Sequence, residues 1–140
     1  MNRKFGTLIK KVNNSVTRNA DKFAQTLGLT SVQISIIDYI AHNEEKDVFQ
    51  RDIEKEFNIR RATATSSLKL MEDRNLITRT PVKKDARLKQ LKLTPKANNL
   101  SKQIDDYFNE TEKIIIDAIG PENKLTVSNG LSKIINQLSD

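Results

Sequence analysis

The side chains best equipped for chemistry gather in the middle of the chain. Residues 51 to 96 hold thirteen Lys/Arg against six Asp/Glu, so this window carries +7 while the other 94 residues sum to −1. Such an excess makes a localised basic surface, and localised basic surfaces attract polyanions. Nucleic acid leads the classes this implies, with anionic membrane behind it. Two groups inside the window have the types and spacing to grip a nucleic acid. The first is Arg60, Arg61, Thr63, Thr65, Ser66 and Lys69. Its long cationic donors reach guanine or phosphate, and its short hydroxyls reach backbone oxygens. The second is Lys83, Lys84 and Arg87, with Asp85 among them. A guanidinium such as that of Arg87 suits a narrow A·T-rich minor groove, where the negative potential is enhanced. Asp85 taken alone reads as a turn residue that accepts a hydrogen bond from its own backbone.

Other chemistries lack their parts. The 140 residues include no Cys and a single His, His42, so neither a disulfide framework nor a nitrogen and sulfur metal cage is expected. No metal and no cofactor are expected. His42 reads as a partner for the negative end of a helix. There is no Gly-rich phosphate loop and no G-x-S-x-G, and Asp105, Asp106, Glu110 and Glu112 read as a solvated helix face. An enzyme is therefore not expected. The longest apolar run, Ile114-Ile115-Ile116, is far short of the roughly 18 residues that span a bilayer. Lys10 and Lys11 interrupt the N-terminal segment before an apolar signal core develops, so the expected location is the cytoplasm.

The elements that must position the basic groups follow from periodicity. Phe5, Leu8, Ile9, Val12, Val16, Ala20, Phe23 and Leu27 form the stripe of a long first helix, closed by Gly28. Thr30 with Gln33 makes a capping box for a second helix running to about Asn43, with Val32, Ile36, Ile37 and Ile40 inward. Val48-Phe49 reads as a short extended piece. Phe49, Ile53 and Phe57 then mark a short helix broken at Asn58, and Ala64, Leu68 and Met71 mark the buried face of another from Arg61 to about Leu76. Two short helices about four residues apart make a helix-turn-helix. Thr63, Thr65, Ser66 and Lys69 fall on the outward face of its second helix. Leu76 to Thr80, ending at Pro81, and the alternation around Leu91 and Leu93 predict a hairpin with its tip at Val82 to Arg87. Thr94-Pro95 opens a long helix with the stripe Ala97, Leu100, Ile104, Phe108, Thr111, Ile115 and Ala118, which Gly120-Pro121 stops. A last helix carries Leu125, Val127, Leu131, Ile134, Ile135 and Leu138, with Gly130 inside it.

The fold class expected is mainly helical with a small β-hairpin: a winged helix-turn-helix plus terminal dimerisation helices, in one domain spanning 1–140. The DNA-binding region is expected at 30–93 and the helical dimerisation region at 1–28 and 94–140. The terminal helices carry more apolar surface, at Phe5, Leu8, Val12, Leu131, Ile135 and Leu138, than a small winged domain needs to cover itself. The second helix of such a pair enters the major groove while the hairpin reaches the neighbouring backbone or minor groove. A non-specific nucleoid-type DNA binder is the alternative function. An RNA module is disfavoured, because the seven aromatics fall mostly on core stripes and not on an exposed stacking platform.

Three stretches resemble the signature of the MarR family of bacterial transcriptional regulators. They are Met71-Glu72-Asp73-Arg74-Asn75-Leu76-Ile77-Thr78-Arg79, Asp85-Ala86-Arg87, and Leu91-Lys92-Leu93-Thr94-Pro95-Lys96-Ala97. The resemblance implies that Asp85 and Arg87 are linked and that Arg87 enters the minor groove. It further implies a homodimer on a pseudopalindromic double-stranded DNA operator, acting as a repressor and released by a small aromatic or anionic effector. Asn75 stands where the family usually has Gly and keeps the turn because Asn tolerates positive φ. Ser66 stands where many members have Arg, which removes one long base contact.

Overall fold

The structure, a computed structural model, describes residues 4–139. Residues 1–3 and 140, which belong to the expected terminal regions, lie outside the described residues. Local chemistry sets the first boundaries. Helix α1 (Phe5–Thr26) ends where Gly28 takes φ 73°, and helix α2 (Ser31–Ala41) begins at the Thr30 cap. The Thr30 hydroxyl accepts from the Gln33 amide at 3.2 Å, while the Gln33 side chain accepts from the Thr30 amide at 3.0 Å. Helix α3 (Gln50–Glu56) is opened by Asp52, whose carboxylate accepts from the Phe49 N–H at 2.8 Å.

Three helices close in one way. After α1, α3 and α4 (Arg61–Asp73), the next chain direction is set by a residue at positive φ: Gly28, Asn58 at 50° and Asn75 at 60°. In each, the following amide reaches back across the last turn: Leu29 to Ala24 O, Ile59 to Glu54 O, and Leu76 to Met71 O, at 2.9 to 3.0 Å. This satisfies carbonyls that a helix end otherwise leaves without a partner.

Strand β1 (Ile77–Val82) pairs antiparallel with β2 (Asp85–Leu93) as a two-stranded sheet. Thr94 fastens its base: the hydroxyl donates to Asn75 O at 2.7 Å and accepts from the Ala97 amide at 3.2 Å as the cap of α5 (Pro95–Ile119). A 3-10 turn at Pro121–Asn123 precedes α6 (Lys124–Leu138). The chain divides into two compact units, up to Ser101 and from Lys102, with the boundary inside α5. The first unit is the winged helix-turn-helix. Its core includes Ile34, Ile37, Ile53, Leu68, Met71, Leu76 and Ile77, all fully or almost fully buried. Burial of such side chains stabilises by roughly 1.5–3 kcal/mol each.

Several expectations need correction. Val32 is exposed, because Gln33, held inward by its cap bonds, lies at the centre of the buried face and Val32 lies about 100° round the helix from it. Helix α2 stops at Ala41, not Asn43, with His42 as its C-cap. The piece at Val48 joins the sheet through a single bond, its carbonyl accepting from the Leu91 amide at 2.8 Å, and forms no strand. Helix α4 ends at Asp73, short of Leu76. Strand β1 runs through Pro81, which pairs with Lys89 just before a register shift. The turn is only Lys83-Lys84, and residues 86–88 form the bulge that follows. In α5, Ala97 and Ile104 are buried as expected, but Ile115 and Ala118 are exposed.

Candidate nucleic-acid interface

Helix α4 turns its apolar residues Ala64, Leu68 and Met71 into the core, so helical geometry leaves the intervening positions to solvent. Arg61, Thr63, Thr65, Ser66 and Lys69 are all exposed, and Arg60 sits at the N-cap with extended backbone. The first cluster read from sequence is thus one continuous face beginning at the helix N-terminus. Thr65 has a partner that sequence reasoning missed. The Gln50 side-chain amide, in the first turn of α3, donates to Thr65 Oγ1 at 2.9 Å and lies 3.3 Å from a Glu54 carboxylate oxygen.

The second cluster occupies the wing. Lys83 and Lys84 form the exposed two-residue turn, and Asp85 starts β2. The Asp85 carboxylate accepts from the Arg87 backbone N–H at 2.9 Å, from Nε at 3.2 Å and from Nη2 at 3.3 Å. Two readings of Asp85 therefore hold at once: it is a turn acceptor, and it is linked to Arg87. The Arg87 side-chain and backbone hydrogen bonds hold the Asp85 carboxyl below the usual aspartate range. The Arg87 side chain remains 91% exposed, so the pair orients the guanidinium without burying it.

Between these clusters lies a groove of about 400 Å³, of whose lining the site residues inferred from sequence included only Thr65 and Lys69. Thr65, Lys69 and Glu72 of α4 line it with Arg79 and Lys89 of the strands. Arg79 Nε lies 3.7 Å from Glu72 Oε1 and is buried without a hydrogen bond. Both wing cations are in the charge count of the sequence. What the sequence lacked was the hairpin register that sets Arg79 opposite Leu91 and Lys89 opposite Pro81. His42 behaves as expected of a helix-end residue: its Nδ1 lies 2.9 Å from Asp38 O and 3.3 Å from Asp38 Oδ1.

A MarR family profile matches residues 27–88, from the end of α1 to the wing. The solved structure of the transcription regulator MarR from Oenococcus oeni PSU-1 is similar at 37% identity and TM-score 0.87, over 95% of this chain and 99% of that one. MepR from Staphylococcus aureus, in a complex with DNA, shares the fold with TM-score 0.87 at 21% identity, over 96% of each chain. The transcriptional regulator SlyA shares it with TM-score 0.86 at 16% identity, over 98% of this chain and 95% of that one. With a winged helix-turn-helix, an ordered Asp85–Arg87 wing and a relative of this identity over nearly its whole length, the chain belongs to the MarR family of transcription regulators.

Proposed function

We propose that this chain is a cytoplasmic homodimer that binds a pseudopalindromic double-stranded operator, represses transcription there, and is released by a small aromatic or anionic effector. The observation that carries the reading is the pairing, within one unit, of a solvent-open α4 with a wing whose Arg87 is held by a carboxylate. In this reading the N-terminal part of α4 lies in the major groove. Arg60, Arg61, Thr63, Thr65, Ser66 and Lys69 read or grip the half-site. Lys83 and Lys84 meet the neighbouring phosphates, and Arg87, supported by Asp85, enters the minor groove. That MepR has been solved with DNA supports the same use of the shared fold. Residues 1–28 and 94–140 supply the dimer contacts. The exposure of Phe5 at 80%, Leu125 at 71% and Leu138 at 79% supports this, since a second copy would cover these side chains. Among the described residues no helix is long and apolar enough to cross a membrane.

Selection of bound fragments from genomic DNA by the full chain tests the reading, followed by release assays with aromatic acids and phenols. The expected result is one inverted repeat with half-site centres about 34 Å apart, preferred over scrambled DNA by roughly 10³ or more. Equal retention of scrambled DNA would replace this function with that of a nucleoid-type binder.

A further inference from the structure

With α4 in one groove and the wing tip in the next, the DNA strand that separates the two grooves must cross the protein between α4 and the wing. That is where the groove lined by Thr65, Lys69, Glu72, Arg79 and Lys89 lies. Three cations against one carboxylate leave it electropositive. Among the described residues neither Lys69 nor Lys89 has a carboxylate partner, whereas Arg79 is engaged at 3.7 Å by Glu72. The hydroxyl of Thr65 is also oriented. Because the Gln50 amide donates to Thr65 Oγ1 at 2.9 Å, the oxygen is used as an acceptor and its proton is left to be donated. A phosphodiester offers only acceptors and a negative charge, which complements two free ammonium groups beside a committed hydroxyl donor.

We propose that this groove seats one phosphodiester of the DNA backbone in each half-site, with Lys69 and Lys89 as its cations, Thr65 as its hydroxyl donor and Gln50 as the residue that positions that hydroxyl. The inference rests on the DNA-binding reading above and adds to it a site, its ligand and two residues, Gln50 and Lys89, outside the basic clusters. Gln50 acts through Thr65 and is a positioning residue.

The test uses the full chain and the operator duplex it selects, with single phosphates replaced in turn by neutral methylphosphonates. At one position per half-site the replacement weakens the parent, and it weakens the Lys89→Ala variant less, because Lys69 and Thr65 still face that phosphate. For that variant the slope of log affinity against log salt is shallower by about 0.9 per half-site. Gln50→Ala and Thr65→Val each weaken operator binding about threefold at unchanged thermal midpoint. The double variant is no weaker than Thr65→Val alone, as expected when one residue acts through the other. If Lys89→Ala keeps the parent's salt slope and methylphosphonate profile while the parent binds its operator, the phosphate seat is wrong and the DNA reading stands. If the parent shows no affinity for any duplex, both fall together.

Discussion

Helices α4 and α6 are of similar length, 13 and 15 residues, and each carries apolar side chains at helical spacing. Their surroundings differ. Ala64, Leu68 and Met71 of α4 are completely buried, whereas α6 has no buried residue and leaves Leu131 47% and Ile135 51% exposed. A period of 3.6 announces a face that must be covered; it does not say whether the cover comes from the same chain. For α4 the cover is the core of its own unit, and its outward residues are free to carry polar work. For α6 the apolar face is left open by its own chain, and in the proposed dimer a second copy would cover it.

The contrast can be broken most forcefully at α6. Leu131→Asp combined with Ile135→Asp should cost association about 3–6 kcal/mol, from the burial of two apolar side chains. Sedimentation at micromolar concentration should then show a monomer with helical circular dichroism retained. A variant that sediments like the parent would remove α6 from the interface. In α4, Leu68→Ala should lower the free energy of unfolding by about 2–5 kcal/mol, because the site is enclosed on all sides; a loss below about 1 kcal/mol in denaturant titration would contradict that enclosure. Gly130→Ala is a finer probe. Apart from the neighbouring residues and backbone of its own helix, no atom lies within 4 Å of the added methyl group, so α6 should gain about 0.4–1 kcal/mol, read as a raised melting temperature. A lowered one would place a partner's backbone against Gly130.

The smallest effect belongs to the wing, where an exposed pair is satisfied locally, unlike the open face of α6. Arg87 depresses the folded-state pKa of Asp85, so the charged pair is complete above the ordinary aspartate range. It is lost only as pH falls through the lower, folded-state value. Carboxyl NMR titration should show this depressed midpoint, and Arg87→Ala should return it toward the ordinary range. An unchanged midpoint in the variant would deny the link.

Features fixed by a few neighbouring residues were legible before any coordinates. The Thr30–Gln33 box and the Thr94-Pro95 start close within four residues of chain, and the turn at Asn75 and the Asp85–Arg87 link, equally local, were implied by the family resemblance. Thr63, Thr65, Ser66 and Lys69 were placed correctly because the buried stripe of α4 is unambiguous. What failed depended on distant partners. Val32 was misplaced because the polar Gln33 takes the centre of the inward face, against the usual weight of hydrophobicity. Pro81 was taken as a strand end, yet in a two-stranded sheet a residue need not bond on both sides, and the strand continues one residue further. Gln50 escaped notice because its partner Thr65 lies 15 residues away across the helix-turn-helix.

The two-stranded wing has a consequence for behaviour at high concentration. A slender hairpin presents unpaired edges that invite strands of another molecule to add on, the route by which sheets grow into fibres. Here the invitation is withdrawn at several points. Pro81 supplies no N–H, the bulge at residues 86–88 interrupts the regular ladder, Lys83, Lys84 and Lys89 repel a like copy, and the Leu91 amide is already occupied by Val48. Under the proposed DNA-binding reading, the cations offered to DNA are thus also guards against self-templating. Neutralising Lys83, Lys84 and Lys89 together would trade not only affinity but colloidal stability.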